Sequence, residues 1–404
     1  MKYINKSLTI EKVEIKDIAR KYGTPTYCYS YRKLKENISN FRKSFNSFAP
    51  LVCFAIKSNT NVNLIREIRK LGLGADVVSM GELMMALKAG IDSKKIVFSG
   101  VGKTSNEIGY AIDKKILLIN AESRSEIKEI ERIAKFKKKI VNIGIRLNPN
   151  TDAKTLKQIS TGKKENKFGV DEKIFYDLVN YSKLSKNINL KCLSVHIGSQ
   201  ILDHKPYEKM LKVVDRVIKK SNHKFEFIDL GGGMGISYEK NNKKLNYLKY
   251  NIAIKKFLKN HKSKVIFEPG RSIVGNIGLL ISKVIYIKEN SKKDFIILDA
   301  AMNDLMRPAL YGAKHITLPV IKTNRTSKKV YEFVGPICES TDKFTTLKKF
   351  QKLNEKELIV MCDVGAYGMS LSSNYNVRPK PAEILIKGSK INIIKKRQKL
   401  EDLI

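Results

Sequence analysis

The sequence predicts an α/β protein: a parallel (β/α)8 barrel followed by a second, C-terminal β domain. Two observations predict this fold. Between Leu51 and Glu268, eight short apolar runs alternate with stretches of helical period such as Ile127, Ile130 and Ile133. After Ser282, strand-like runs follow one another with only turn residues between them. Continuous apolar strands separated by helices are typical of a parallel barrel, because both faces of its sheet are buried.

The barrel strands are expected in chain order at Leu51–Ile56, Ala75–Val78, Ile96–Phe98, Ile116–Ile119, Val141–Leu147, Leu190–Val195, Phe227–Leu230 and Val265–Phe267. A doubly wound sheet is the alternative, although such sheets rarely contain eight units of this kind. The strands of the second domain are expected at Lys283–Lys288, Phe295–Leu298, Lys329–Val334, Leu358–Cys362 and Glu383–Ile386.

The N-terminal run Thr26–Tyr31 also has the character of a strand and precedes the barrel. Because chain termini often meet, we expect it to join the C-terminal β domain. The predicted boundaries are therefore 1–32 for the N-terminal strand segment, 33–280 for the barrel and 281–404 for the β domain.

Composition excludes several classes of protein. The chain has 404 residues, of which 42% are hydrophobic, so wholesale disorder is excluded. No apolar run approaches the roughly 18 residues that a membrane span needs, and charges interrupt the N-terminus. We therefore expect a cytoplasmic protein that binds no membrane. Its 78 Lys and Arg exceed its 39 Asp and Glu, but the lysines are scattered, so we expect a solvated surface and no specific nucleic-acid partner.

Five cysteines in a chain of this length do not form a disulfide framework. Four of them lie in apolar runs and are expected to be small core residues. Cys338 differs because it follows Gly335 and Pro336 in a turn and precedes Glu339, as a functional thiol would. No histidine or cysteine spacing suggests a metal site.

Polar residues follow the predicted barrel strands where each strand ends, the position at which barrels of this kind build their active sites. These positions hold Lys57, His196, Ser199, Gly231, Gly232, Gly233, Glu268, Pro269, Gly270 and Arg271, while Asp76 lies within the second predicted strand and Arg146 within the fifth. Each has a structural alternative: Lys57 could simply reach solvent, the glycines could form a tight turn, Glu268 could pair with Arg271, and His196 could be a satisfied core histidine.

Together these residues specify one cofactor. Glycine amides can approach a phosphate closely, and a lysine in a buried place can act as an amine nucleophile. A buried carboxyl group can hold a protonated ring nitrogen, and an imidazole can stack on a flat ring. A phosphate, a carbonyl and a pyridine ring occur together in pyridoxal 5'-phosphate.

The motifs that carry these residues closely resemble those of the diaminopimelate decarboxylase family. They are FAIKSN, DVVSMGEL, HIGSQ, GGGMGI, EPGRSIVGNIG, MNDLMRPALYGA, GPICESTD and DVGAYGMSLSSNYNVRPKPAEIL. The resemblance runs from about Gly23 to Ile386 and implies the alanine-racemase-like fold. It also implies decarboxylation of meso-2,6-diaminopimelate to L-lysine and carbon dioxide, the last step of lysine biosynthesis.

The resemblance also implies roles. Lys57 would bind the cofactor covalently, Glu268 would face its ring nitrogen, and His196 would stack on the ring. Cys338 would be the general acid, supplied by the neighbouring subunit of a homodimer with shared active sites. The remaining cofactor ligands would be Asp76, Ser199, Gly231, Gly232, Gly233, Pro269, Gly270, Arg271 and Tyr367. The substrate would be bound by Arg271, Arg307, Tyr311, Glu339 and Tyr367.

Three alternatives remain from the sequence. A decarboxylase of ornithine, arginine or a carboxypolyamine would have no use for Arg307, because those substrates lack a distal carboxylate. A racemase of this fold would place an arginine where Glu268 stands. A non-catalytic relative would have lost Lys57 or Cys338, and this chain has both.

Overall fold

A computed structural model of the chain describes residues 1–159, 161–238 and 244–404. The strands among these residues are β1 (Lys2–Ile4), β2 (Ser7–Ile10), β3 (Val13–Glu14), β4 (Thr26–Ser30), β5 (Leu51–Ala55), β6 (Gly74–Val77), β7 (Ile96–Phe98), β8 (Leu118–Ala121), β9 (Val141–Arg146), β10 (Ile188–Ser194), β11 (Phe227–Asp229), β12 (Lys264–Phe267), β13 (Gly278–Lys288), β14 (Lys293–Leu298), β15 (Thr317–Pro319), β16 (Val330–Val334), β17 (Lys343–Leu347), β18 (Leu358–Cys362), β19 (Ala382–Lys387) and β20 (Lys390–Lys395).

The α-helices among the described residues are α1 (Ile15–Tyr22), α2 (Tyr31–Phe45), α3 (Val62–Lys70), α4 (Met80–Lys88), α5 (Ser105–Asp113), α6 (Arg124–Phe136), α7 (Glu172–Leu184), α8 (Lys205–Ser221), α9 (Tyr247–Leu258), α10 (Arg271–Val274) and α11 (Arg307–Tyr311). No helix in the described part of the chain is both long and apolar enough to cross a membrane.

The chain divides into two compact units. The barrel unit comprises Ile38–Ile236 and the described part of Lys243–Ile273. The β unit comprises Met1–Asn37, Val274–Ile404 and the described part of Ser237–Asn242. The boundaries inferred from the sequence, 1–32, 33–280 and 281–404, stay a prediction.

Strands β5 to β12 form a closed barrel in which every strand is parallel to its neighbours. The ring closes where Ile266 of β12 pairs with Leu51 of β5. This closure confirms the (β/α)8 prediction and excludes the doubly wound sheet. Cys53 and Cys192 lie in the apolar interior together with residues from four other strands, as expected of small core residues.

One barrel strand lies two residues later than predicted. The expected Ile116–Ile119 is instead β8, Leu118–Ala121. The apolar pattern did not predict Asn120 as a strand residue, because asparagine is polar. Its side-chain amide is nevertheless fully buried, and hydrogen bonds to other polar side chains of the barrel compensate for that burial. Ile116 is buried too, but outside the strand.

Polar caps start the barrel helices directly after the strands. Thr104 accepts a hydrogen bond from the Glu107 amide while the Glu107 side chain accepts one from the Thr104 amide, a capping box that begins α5. Side chains also cap the first turns of other barrel helices, namely Asn61, Ser79, Ser123, Asp171 and Asn246. These caps keep several strand-to-helix connections short, so the strand ends are held firmly.

The β unit has a mixed nine-stranded sheet and a small antiparallel sheet of β1, β2 and β3. In the larger sheet β4 lies between β13 and β19, which confirms that the N-terminal strand joins the C-terminal β domain. Strand β13 starts at Gly278 rather than Lys283, because Leu280 and Ile281 are fully buried and pair on both sides. The strands that the sequence interpretation did not include are β1, β2, β3, β15, β17 and β20.

Candidate active site

Lys57 stands at the carboxyl end of β5, two residues after the strand ends. Its Nζ lies 2.6 Å from Oδ2 of Asp76, which is fully buried on β6. The Lys57 side chain itself is 37% exposed. The amine is thus held by a buried carboxylate on a side chain that solvent still reaches, which suits a group that must react with a bound molecule.

Two carboxyl groups lie buried beside each other at the same end of the barrel. Glu268 follows β12 and Asp229 ends β11. Asp229 accepts hydrogen bonds from the Asn120 amide at 3.1 Å and from the Gly231 backbone at 2.9 Å. Ser99 donates to Glu268 at 3.4 Å and accepts from Asn120 at 3.2 Å. The carboxyls therefore belong to one polar network inside the barrel.

Burial raises the pKa of Glu268 well above its ordinary value near 4.5, and the charges of Asp229 and Asp76 raise it further. Burial also raises the pKa of Asp229. Two neighbouring buried carboxylates cannot both be ionised without a large electrostatic cost. Of this pair, Glu268 has its protonated form favoured by both burial and the neighbouring carboxyl charges.

His196 follows β10 and is held in one tautomer. Its Nδ1 accepts a hydrogen bond of 3.1 Å from the Gly232 amide, so its proton resides on Nε2. Burial lowers the pKa of His196 well below 6.5, and the nearby charge of Arg146 lowers it further. The imidazole is therefore neutral, which suits a flat stacking surface better than a buried cation would.

The glycine run after β11 makes room for a close approach of backbone. Gly231 has a φ of 64°, in the left-handed region that favours glycine. A Cβ on Gly232 would lie 2.1 Å from the carbonyl oxygen of Glu268. The amides of Gly231 and Gly232 donate to the side chains of Asp229 and His196, so the turn is tied to two neighbouring strand ends. Arg271 donates to Ser199 Oγ at 3.1 Å.

A second buried charge pair supports the site from the neighbouring strands. Arg146 at the end of β9 donates to Glu122 at 3.0 Å, and both side chains are buried. Glu122 also accepts hydrogen bonds from the backbone amides of Gly100 and Gly169. One carboxylate thus ties together the loops that follow three different barrel strands.

In the β unit, Arg307 begins α11 and is buried. Its NH1 lies 2.9 Å from Nε2 of His315, and its guanidinium carbon lies 4.5 Å from the centre of the Tyr238 ring. Tyr311 ends the same helix and is half-buried.

The remaining β-unit candidates differ in their surroundings. Cys338 is exposed, whereas the other four cysteines are buried, as predicted. Glu339 accepts hydrogen bonds from the hydroxyls of Tyr375 at 2.6 Å and Thr341 at 2.9 Å. Tyr367 has a left-handed φ of 58°, a conformation that is strained for a residue other than glycine.

The structure therefore collects the predicted residues in two groups. The barrel unit contains Lys57, Asp76, His196, Ser199, Gly231, Gly232, Gly233, Glu268, Pro269, Gly270 and Arg271. The β unit contains Arg307, Tyr311, Cys338, Glu339 and Tyr367. Among the described residues, no cluster of three or more potential ligands is placed to hold a metal ion.

Comparison with known proteins identifies the barrel group. Residues 31–275 match the family model described as "Pyridoxal-dependent decarboxylase, pyridoxal binding domain". The diaminopimelate decarboxylase of Aquifex aeolicus is 40% identical over 407 residues, covering 100% of this chain and 96% of that protein. The chain belongs to the diaminopimelate decarboxylase family.

Solved structures of this family have the same fold. The Helicobacter pylori diaminopimelate decarboxylase complexed with L-lysine superposes with a TM-score of 0.91 at 40% identity, covering 96% of this chain and 98% of that one. The diaminopimelate decarboxylase from M. jannaschii gives a TM-score of 0.94 at 34% identity, covering 100% and 96%.

Family membership makes pyridoxal 5'-phosphate the cofactor of this chain, and the barrel residues fit it. The missing Cβ at Gly232 lets this turn pack directly against the backbone of Glu268, so the glycine run and the buried carboxyl lie side by side. Buried Glu268 has a raised pKa and offers a proton-sharing partner to a ring nitrogen. One oxygen of buried Asp76, Oδ1, has no hydrogen-bond partner among the described residues and is available to a bound group.

The sequence interpretation missed several residues that build this site. Asp229 directly precedes Leu230 at the end of a predicted strand, so the strand-end rule could have included it. Asn120 and Ser99 also lie at strand ends, and Arg146 was noticed at one but was not placed in the site. No sequence pattern pointed to His315 or Tyr238, because both matter only through their contacts with Arg307 in the folded protein.

We predict that Gly232→Ala weakens binding of pyridoxal phosphate, because the new Cβ would meet the Glu268 carbonyl at 2.1 Å and the glycine turn would have to shift. Titration of the apoprotein with the cofactor should show a dissociation constant raised at least tenfold. Gly102→Ala is the matched control, since no atom lies within 4 Å of its added Cβ. Unchanged cofactor affinity in Gly232→Ala would contradict a role of this glycine turn in cofactor binding.

We also predict that Glu268→Gln alters how the stability of the apoprotein depends on pH. The folded pKa of Glu268 is raised, so the folded state binds more protons than the unfolded state above pH 4.5. The free energy of unfolding should therefore fall as the pH rises from 4.5 toward the raised pKa. The Glu268→Gln variant should lose less of its unfolding free energy over the same pH range. Melting temperatures of apoproteins between pH 5 and pH 8 test this, with exposed Glu355→Gln as control; parallel curves for wild type and Glu268→Gln would refute it.

Proposed function

We propose that this chain catalyses the pyridoxal-phosphate-dependent decarboxylation of meso-2,6-diaminopimelate, producing L-lysine and carbon dioxide. The observation that carries the proposal is the barrel site, where the Lys57 amine, the buried Glu268 carboxyl and the Gly232 turn meet at one end of the strands. Relatives of about 40% identity over the full length are named diaminopimelate decarboxylases, which supports the choice of substrate.

Each barrel residue has a role in holding the cofactor. Lys57 would bind it through Nζ and would be released when the substrate amine takes its place. Gly231, Gly232, Gly233, Ser199, Gly270 and Arg271 would surround the phosphate, with Pro269 shaping the turn. His196 would present its neutral ring to the pyridine face, and Asp76 would keep the Lys57 amine in place when it is not bonded.

Glu268 has the central electrostatic role. When bound, pyridoxal phosphate supplies an electron sink for the charge left on the α-carbon after carbon dioxide departs. Glu268 would hold a proton at the ring nitrogen, because burial penalises any arrangement in which the carboxylate is charged without a cationic partner. Asp229 keeps Glu268 in this state by its own buried position.

Residues of the β unit would recognise the far end of the substrate and complete the reaction. Arg307, with Tyr311 and Arg271, would bind the carboxylate that is retained, and Glu339 would accept the distal ammonium. Tyr367 would contact both cofactor and substrate. Cys338 would donate its Sγ proton to the α-carbon, a role that fits its exposure and the fact that a free thiol is mostly protonated near neutral pH.

We further propose that the enzyme is a cytoplasmic homodimer with shared active sites, in which Cys338 and Glu339 serve the barrel of the other subunit. Five free cysteines suit a reducing compartment. The lysine excess is, in this proposal, a solvated surface with no nucleic-acid partner, since lysines such as Lys137 and Lys139 pair with the partly exposed carboxylate of Asp113.

A substrate panel tests the activity. Holoenzyme incubated separately with meso-diaminopimelate, ornithine and arginine should release carbon dioxide from the first alone and yield L-lysine. Arg307→Ala should lower kcat/KM for meso-diaminopimelate, because losing a charge-assisted contact to a carboxylate costs about 2–5 kcal/mol, and should leave the cofactor absorbance unchanged. Exposed Arg325→Ala is the control.

Turnover of ornithine or arginine at a comparable rate would overturn the substrate assignment. Near-normal kcat/KM in Arg307→Ala would remove this arginine from substrate recognition.

Subunit mixing tests the shared sites. Lys57→Ala and Cys338→Ala should each be inactive, because one lacks the amine and the other the proton donor. Mixing the two under conditions of subunit exchange should restore up to about a quarter of wild-type activity, since random pairing gives half heterodimers and each has one intact site. Absence of recovery after exchange has been verified by mass spectrometry would contradict sharing.

A further inference from the structure

The β unit contains a cleft of about 1050 Å³ whose wall includes Tyr238, Pro308, His315 and Thr341. A cleft of this size accommodates a small organic molecule with room for water. His315 is 95% buried, so it forms the floor of this cleft rather than its rim. None of the proposed roles uses His315, although it directly contacts Arg307.

The backbone determines the protonation pattern of His315. Its Nδ1 lies 2.8 Å from the carbonyl oxygen of Cys362. A carbonyl only accepts hydrogen bonds, so Nδ1 carries the proton and donates it. In the neutral ring Nε2 is then a bare acceptor, and Arg307 NH1 donates to it at 2.9 Å. The two hydrogen bonds therefore run in one direction: Arg307 donates to His315, and His315 donates to the carbonyl of Cys362.

Tyr238 restrains the same guanidinium from a second direction. Its ring centre lies 4.5 Å from the guanidinium carbon of Arg307, and its ring stands nearly perpendicular to that of His315, at 78°. The hydrogen bond to His315 and the contact of the guanidinium carbon with the Tyr238 ring restrict the guanidinium from two sides.

The charge of Arg307 also acts on the carboxyl group of Asp363. Burial raises the pKa of Asp363 to about 6, and the Arg307 charge opposes that rise. Asp363 directly follows Cys362, so the carbonyl that orients His315 and the carboxyl that balances Arg307 belong to one turn of chain.

We propose that His315 is a positioning residue that orients the Arg307 guanidinium for the carboxylate that the reaction retains. The inference rests on the proposed function, in which Arg307 binds that carboxylate. Decarboxylation removes one carboxylate of diaminopimelate, and the product L-lysine keeps the other. L-lysine therefore reports on the Arg307 site by itself, whereas cadaverine, which has both amines and no carboxylate, does not.

Two substitutions of His315 separate its two hydrogen bonds. His315→Asn places an amide N–H near the position of Nδ1, so it keeps the donor to Cys362 and loses the acceptor for Arg307. His315→Gln reaches the position of Nε2, so it keeps an acceptor for Arg307 and loses the donor to Cys362. A residue with a purely structural role would tolerate Asn better than Gln, because Cys362 lies in strand β18 of the sheet.

The experiment measures binding of L-lysine and cadaverine to each holoenzyme by calorimetry, and kcat and KM for meso-diaminopimelate. For His315→Asn we expect the L-lysine dissociation constant and KM to rise about tenfold, as for loss of one hydrogen bond to a charged group. Cadaverine affinity and kcat should stay within about twofold of wild type. His315→Gln should retain L-lysine binding close to wild type.

The outcomes discriminate among the possibilities. Wild-type L-lysine affinity in His315→Asn, together with weak binding in Arg307→Ala, would overturn the positioning role and leave the proposed function intact. Wild-type L-lysine affinity in Arg307→Ala would instead overturn the proposed contact between Arg307 and the carboxylate. Weakening of L-lysine binding by His315→Gln that equals or exceeds the weakening by His315→Asn would overturn the positioning role in favour of a structural one.

A second pair keeps the test decisive if the His315 variants fold poorly. Tyr238→Phe preserves the ring over Arg307, and Tyr238→Leu removes it. Only the Leu variant should weaken L-lysine binding, with cadaverine binding unchanged, and equal affinities in the two variants would count against an oriented guanidinium.

Discussion

The burial of two neighbouring carboxyl groups is the constraint around which the barrel site is built. Glu268 and Asp229 are both withdrawn from water, and burial raises the pKa of each. Such a pair is stable only where hydrogen-bond donors and a proton compensate for the lost hydration. Asn120 and the Gly231 amide supply the donors. In the proposed function, Glu268 would hold a proton at the ring nitrogen of bound pyridoxal phosphate.

The order of strands in the barrel explains why the site can be assembled at all. His196, the Gly232 turn and Glu268 follow β10, β11 and β12, which are consecutive neighbours in the ring. Parallel strands end at the same edge, so the groups that we propose to stack on the ring, bind the phosphate and hold the proton lie side by side. Gly232 contacts both of its neighbours in this row: its amide donates to His196, and its lack of a Cβ leaves room for the Glu268 carbonyl.

In the β unit the main feature is an arginine whose side chain is held in place before a ligand binds. A carboxylate at the far end of a flexible substrate is best recognised by a guanidinium whose plane is already set, since less side-chain entropy is then lost on binding. Arg307 meets this condition through a ring nitrogen of His315 and the face of Tyr238. The chemistry of the reaction thus depends on the barrel unit, and the choice of substrate, in the proposed function, depends on the β unit.

The sequence by itself determined the barrel, the joining of β4 to the C-terminal sheet and the chemical nature of the cofactor site. Apolar runs with helices between them, and reactive side chains at strand ends, are local patterns that a chain displays before it folds. The tertiary structure alone decided the true position of β8, the carboxyl pair, and the contact of His315 with Arg307. A buried polar side chain such as Asn120 has no distinctive pattern of its own, because its stability comes from partners that are distant in sequence and meet only in the folded barrel.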